Sequence, residues 1–322
     1  RLGYETGISR RLPRAGGGRT INFGHIRTAV LRLLQESASL QKQLDFVLVD
    51  EGQDLSGEVY EILRLAAQHI TVFADPLQKI FEDGAPEVHI LGALGIPRRN
   101  ATLLAAYRNS PCVAGLASCF IDDPLQRRLY LVQRATEQQV RELPLCFEAS
   151  SIAAELDRLA EIVGRRQILN ERIGIIVPTK RQVHGVSRGL EERGVEVQKA
   201  IHPDGLSVDD RPLNFGSPVP KISTYHSAKG LTFDSVLMPR LVDRSFPWVY
   251  GTARHRLLFV GIARATQWAY GSTVKGDEFA EMELIRQAQA EGRITFQDTF
   301  GLPPSMPLFG GYQPSLDELS VL

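Results

Sequence analysis

The strongest constraint on how this chain folds is Phe46-Val47-Leu48-Val49, followed at once by Asp50-Glu51-Gly52-Gln53-Asp54. An unbroken apolar run with two β-branched members predicts a strand buried on both faces of a parallel sheet. The abrupt change to carboxylates predicts that the strand runs out into solvent there. A second run, Ile70-Thr71-Val72-Phe73, ends the same way in Ala74-Asp75-Pro76-Leu77-Gln78. Between them, Ser56 is placed to cap a helix through Val59, Ile62, Leu63 and Ala66. Strand, helix, strand is a βαβ unit, right-handed by default. Ligands of open α/β sheets gather at the carboxyl ends of strands, so these acids are candidates for chemistry.

The rest of the chain repeats the alternation. Residues 1–20 are basic and Gly-rich and read as a loop. Ile26, Val30, Leu33 and Leu34 recur at helical spacing ahead of the first strand. Residues 90–99 are punctuated by Gly and Pro, which places a domain boundary there and makes 1–98 the first domain. Strands are expected at 145–147, 173–177, 195–198, 221–225, 235–238 and 268–271, with helices at 151–163 and 181–193. A second helix group includes Val113, Leu116 and Phe120. The pattern predicts an α/β fold with a second parallel sheet over 99–285, then a loosely ordered tail over 286–322.

Composition narrows the class more than the activity. The length of 322 residues suits two cores, and 43% hydrophobic with 23% charged residues is that of a soluble globular protein. Lys+Arg and Asp+Glu total 37 each, so net charge argues neither for nor against a polyanionic partner. Cys112, Cys119 and Cys146 lack framework or metal-ligand spacing and read as buried free thiols of a reducing compartment. No apolar run approaches the ~20 residues of a membrane span. A cytoplasmic protein with no membrane partner is expected.

If the two acidic strand ends are neighbours, Asp50, Glu51, Asp75 and Gln78 converge on one rim. One carboxylate would hold Mg²⁺ through its water shell, another would polarise a water, and the amide would sense a terminal phosphate. Arg108, in Tyr107-Arg108-Asn109-Ser110, and Arg264, after Leu257-Leu258-Phe259-Val260-Gly261-Ile262-Ala263, could neutralise charge developing on a transferred phosphoryl group. Arg264 could equally be a cation at a helix C-terminus. Thr224, His226, Lys229 and Gly230 follow a predicted strand and offer hydroxyl, ammonium and backbone N–H groups to phosphates.

Taken together the motifs resemble those of the UvrD/Rep-type superfamily 1 DNA helicases. Asp50 to Asp54 resembles motif II, Phe73 to Phe81 motif III, and Tyr107 to Ser110 motif IV. Thr224 to Phe233 resembles motif V and Arg256 to Ala265 motif VI, all in the family's order. The resemblance implies RecA-like (P-loop NTPase) sheets, with part of a first lobe and a complete second lobe. It implies ATP and Mg²⁺ as cofactors, and DNA as partner, single-stranded or duplex with a single-stranded tail. By the same resemblance Asp50 holds Mg²⁺ and Glu51 is the catalytic base. Gln78, Arg108 and Arg264 contact the γ-phosphate, and Asp75, Lys229 and Gly230 lie at the nucleotide. Gln53, Asp54, Thr224 and His226 face the DNA-coupling side.

Several features depart from the family. Ala15-Gly16-Gly17-Gly18-Arg19-Thr20 has Arg where a phosphate loop has Lys, and no apolar strand precedes it. The phosphate loop is therefore expected to lie outside this chain, which would be the C-terminal portion of an ATP-dependent DNA helicase and inactive alone. Glu82-Asp83-Gly84-Ala85 stands where an aromatic-Arg pair is usual, and Thr232 stands where the family has an acid. The stretch from Ser110 to Thr224 is too short for the large inserted 2B subdomain. A degenerate helicase fold serving as a DNA-binding or scaffolding subunit is the alternative. A Mg²⁺-dependent nuclease using Asp50, Glu51 and Asp54 ranks last, since it leaves Gln78, Arg108 and Arg264 without a role.

Overall fold

A computed structural model describes residues 22–102, 109–132, 142–200, 214–247 and 249–298. The described residues fall into two compact units, one ending at Thr102 and one running from Asn109 onward.

In the first unit, Asn22 caps α1 (Phe23–Glu36) by accepting from the His25 N–H at 2.9 Å. The helical repeat read from the sequence sets Val30 and Leu34 against Ala66, with Ile26 and Ile62 alongside. Strand β1 (Leu44–Val49), helix α2 (Gly57–Ala66) and strand β2 (Ala67–Val72) follow. Ser56 stands at the N-cap of α2 as expected, but its hydroxyl makes no capping bond. β1 and β2 pair in parallel with Val47 opposite Ile70 and Val49 opposite Val72.

These strands are not buried on both faces, contrary to the sequence expectation. Phe46 is 74% and Leu48 75% exposed, while Val49 on the opposite face is buried. The apolar run supplies two apolar faces, but only one is covered among the described residues. Phe46 stacks on His69 of the neighbouring strand at 5.0 Å. Helix α3 (Glu87–Leu94) stands where the sequence suggested only a punctuated boundary, and it ends at Gly95 with φ 68°. The positive φ explains why a glycine closes it.

The second unit begins with α4 (Pro111–Ser118), capped by Ser110 and ending short of Phe120. Helix α5 (Pro124–Val132), strand β3 (Leu145–Ala149), helix α6 (Ile152–Ile168), strand β4 (Ile173–Val177), helix α7 (Lys180–Glu191) and strand β5 (Gln198–Ala200) follow. After them come β6 (Lys221–Thr224), the single turn α8 (Tyr225–Ala228), β7 (Phe233–Met238), α9 (Gly251–Ile262) and β8 (Ala265–Val274). The described chain closes with α10 (Met282–Ala290) and β9 (Thr295–Gln297). The sheet order is β5-β6-β4-β7-β8-β3-β9, and every ladder is parallel.

Here the burial prediction for a parallel sheet is met. Ile173, Ile175 and Val177 pack with Leu159 and Ile162 of α6 and with Val183 and Leu190 of α7. Helix α9 contacts β7 and β8, and α4 contacts β8. Gly174 has no room for a side chain because a Cβ would lie 2.4 Å from the Phe233 ring. The expected tail from residue 286 is corrected in part. α10 runs to Ala290, and β9 adds to the sheet edge beside β3. Such a short strand has no readable period; it forms because β3 offers it an edge. Residues beyond 298, and 1–21, lie outside the described set. Cys112, Cys119 and Cys146 are buried and form no disulfide with one another, as expected. Among the described residues, no helix is long and apolar enough to cross a membrane.

Candidate functional site

In the first unit the parallel pairing of β1 and β2 carries both acidic segments off the same sheet end. The pairing continues past the strands: the Phe73 N–H donates to the Val49 carbonyl at 2.8 Å, and the Gly52 N–H to the Phe73 carbonyl at 2.8 Å. Glu51 adopts a left-handed backbone, with φ 52° and ψ 41°. For a non-glycine residue that is uncommon and concentrated at functional sites. An exposed Asp50 supports it by accepting the Glu51 N–H on Oδ1 at 2.9 Å.

Gly52 then turns inward where nothing larger fits. A Cβ there would lie 2.4 Å from Val72 Cγ1 and 2.6 Å from the Tyr60 hydroxyl. That hydroxyl donates to the Gly52 carbonyl at 2.6 Å. Burial, with a smaller contribution from the nearby Asp54 charge, pushes the Tyr60 phenol up to about 12.

The segments meet through Gln53. Its Nε2 donates to Glu51 Oε2 at 2.5 Å, and its Oε1 accepts the Asp75 N–H at 2.9 Å. Asp75 in turn accepts from the Leu77 N–H on Oδ1 at 3.0 Å and from Gln78 Nε2 on Oδ2 at 2.9 Å. Asp50, Glu51, Asp75 and Gln78 thus share one rim. Gln53 is buried, with both ends of its amide engaged inside the unit, where it links Glu51 to Asp75. Asp75 uses both oxygens to form the turn that orients Gln78. Gly84 approaches from the other side, where a Cβ would lie 2.1 Å from the Gln53 carbonyl. Asp54, half-buried, closes the short 3₁₀ turn Gly52–Asp54.

In the second unit Thr224 ends β6 and caps α8, accepting the Ser227 N–H at 3.2 Å. His226 lies in that turn. Lys229 follows it, and Gly230 has φ 79°. The chain then enters β7, where the Phe233 N–H donates to the Arg264 carbonyl at 3.0 Å. Tyr225 packs on Gly261 so closely that a Cβ there would lie 2.5 Å from its ring. The segments resembling motifs V and VI therefore form one packed body.

Arg264 directly follows the C-cap of α9 and is buried, and its Nε donates to the Val260 carbonyl at 3.1 Å. This contact is that of a cation at a helix C-terminus, the simpler of the two readings of this residue. Asn109 is the residue that motif reasoning left without a role. Its Nδ2 donates to the carbonyls of Ala263 at 3.0 Å and Ala265 at 2.6 Å, on either side of Arg264. Arg108 itself lies outside the described residues.

Strand directions divide these groups. Thr224 lies at the carboxyl end of β6 beside Val177, whereas Arg264 precedes the amino end of β8, opposite the start of β7. Thr224 and Arg264 therefore lie at opposite ends of the parallel strands. No cluster of three or more His, Cys, Asp or Glu residues arranged for a metal occurs among the described residues.

Residues 14–91 match the UvrD/REP helicase N-terminal domain, and residues 210–275 match the UvrD-like helicase C-terminal domain. Over these two stretches the chain resembles the UvrD-like helicases. A relative named as a probable DNA helicase, from Mycoplasma pneumoniae (strain ATCC 29342 / M129 / Subtype 1), is 26% identical over 277 residues. That alignment covers 79% of this chain and 48% of the relative, so the chain spans about half the relative's length. The C-terminal domain of a possible DNA helicase from Lactobacillus plantarum WCFS1 is a similar solved structure. It covers 60% of this chain and 99% of its own, at 16% identity and a TM-score of 0.43. The two family matches fall on the two units, and the acidic segments after β1 and β2 and the Thr224 segment after β6 each leave the carboxyl end of a parallel strand.

Proposed function

We propose that this chain is the C-terminal portion of an ATP-dependent DNA helicase or translocase, in which nucleotide hydrolysis drives movement on DNA. The observation that carries the reading is the rim joining Asp50, Glu51, Asp75 and Gln78 through the buried amide of Gln53. In this reading Glu51 is the general base that polarises the attacking water, held by its left-handed backbone and by Gln53. Gln78, oriented by Asp75, senses the γ-phosphate. Arg264, with Arg108, neutralises charge on the transferred group, and Lys229 and Gly230 lie near the nucleotide. Thr224 and His226 of the second unit, and Asp54 of the first, couple the cycle to single-stranded DNA or to duplex with a single-stranded tail.

The donor set suits Mg²⁺. That ion keeps several waters and takes one or two carboxylates plus substrate phosphates, with no protein cage. Asp50 offers one exposed carboxylate whose Oδ1 is already fixed by the Glu51 N–H. When bound, Mg²⁺ supplies positive charge at the phosphates. The 322 residues contain no Gly-x-x-x-x-Gly-Lys-Ser/Thr, so this polypeptide alone is expected to bind DNA without robust ATP turnover.

The test is DNA-stimulated ATP hydrolysis by the full-length protein. Glu51→Gln should lower kcat by about 10²–10⁴-fold, the usual contribution of a general base, with the Kd for single-stranded DNA unchanged. Wild-type turnover in that variant overturns the assignment. A full-length protein that binds DNA but never hydrolyses ATP points instead to a binding or scaffolding subunit.

A further inference from the structure

We propose that Glu155 is a positioning residue: from α6 its buried carboxylate locks the turn that leaves β7, and so fixes the strand-end surface through which the second unit couples hydrolysis to DNA. The assignment rests on the coupling role given to Thr224 and His226 above.

Within the sheet β4, β7, β8 and β3 lie side by side. Helix α6 follows the carboxyl end of β3, and Glu155 stands in its first turn, fully buried. From there the carboxylate reaches past β8 to the exit of β7. Oε1 accepts the Ser272 hydroxyl of β8 at 2.8 Å and the Arg240 N–H at 2.8 Å. Oε2 accepts Arg240 Nη1 at 3.0 Å. Arg240 comes two residues after β7 and has φ 66°. An arginine has no preference of its own for that left-handed backbone. Here one carboxylate grips both its N–H and its guanidinium, and so holds it there.

The turn beyond is fixed in consequence. The Val242 N–H donates to the Arg240 carbonyl at 2.8 Å, and the Leu241 N–H to the Ser272 carbonyl at 2.9 Å. The Leu241 carbonyl accepts the Thr273 hydroxyl at 2.8 Å. Asp243 is then held by Arg254 of α9 at 2.6 Å. The chain leaving β7 is thus tied to the helix that carries the segment resembling motif VI. β4 separates β7 from β6, whose carboxyl end leads into Thr224 and His226. A buried ion pair gains little stability over apolar groups of the same volume. What this pair supplies is the sign of one backbone angle, at the strand ends where ligands of such sheets gather.

The experiment follows ATP hydrolysis by the full-length protein as single-stranded DNA is titrated, with denaturant unfolding to check that each variant is folded. Glu155→Gln keeps the side chain's size but strands the Arg240 guanidinium. It should raise the DNA concentration for half-maximal stimulation about tenfold, within the range usual for coupled sites, and leave turnover without DNA unchanged. Adding Arg240→Gly to that variant removes the stranded charge and allows the positive φ without strain. This double variant should recover wild-type stimulation. Adding Arg240→Ala instead removes the charge but keeps the strain, and should stay about tenfold weakened. If Glu155→Gln alone does not fold, the two double variants decide, since neither has the stranded charge. Equal DNA dependence in those two, no shift in a folded Glu155→Gln variant, or DNA-free turnover falling in step with stimulation overturns the positioning role alone. A wild-type protein whose hydrolysis DNA does not stimulate overturns the coupling reading and the positioning role with it.

Discussion

Glu51 shows how much a single residue conformation depends on its neighbours. A left-handed non-glycine backbone costs on the order of 1–3 kcal/mol. It persists here because Asp50, Gly52 and Gln53 each fix one atom of the turn. Tyr60 closes that turn from below through the Gly52 carbonyl, and its phenol is pushed up to about 12, chiefly by burial. The sign follows from linkage. The folded state holds the phenolic proton more tightly than an unfolded chain near 10 does, so this contribution is complete below pH 10 and is lost as pH rises toward about 12. Unfolding of the first unit, followed by circular dichroism between pH 9 and 12, should show falling stability. Tyr60→Phe should remove that slope and cost about 1 kcal/mol at neutral pH from the lost hydrogen bond. An unchanged alkaline slope in the variant would show that Tyr60 is not its source.

Among the elements, the one-turn helix α8 and the C-terminal turn of α9 depend on each other. Tyr225, fully buried, sits against Gly261, and the chain after α8 is hydrogen-bonded to the Arg264 carbonyl as β7 begins. Gly261→Ala would place a methyl group 2.5 Å from the Tyr225 ring. Overpacking of this kind typically costs about 1–3 kcal/mol. The midpoint of denaturant unfolding for the second unit should fall accordingly, and a variant as stable as wild type would show that the contact relaxes without strain. These features were only partly legible beforehand. Strands β4 and β7 and helices α6 and α7 were readable because burial on both faces leaves continuous apolar runs, and an amphipathic helix leaves a clear repeat. Asn109 was quoted with its neighbours yet had no visible role. Its partners are backbone carbonyls at Ala263 and Ala265, far away in sequence and silent in side-chain pattern.

Across the molecule, the units differ in how completely their sheets are covered. Among the described residues the second has seven strands with helices against both faces, whereas the first has two strands with Phe46 and Leu48 exposed. Two-stranded sheets are marginal by themselves, and local opening follows the weakest burial. Native-state hydrogen exchange should protect the amides of β4, β7 and β8 at least about 10²-fold more than those of β1 and β2. Equal protection would contradict the comparison.

The chain's own order of residues determined which segments become strands, that they pair in parallel, and that acids follow two of them. Short-range periodicity and the switch from apolar to charged residues encode those features locally. Only the tertiary structure decided that β1 keeps one apolar face exposed among the described residues, that Gln53 joins the two acidic turns, and that Thr224 and Arg264 lie at opposite ends of the strands of one sheet. Each of these depends on which distant backbone comes alongside. That is a matter of packing and register, which no single stretch of sequence records.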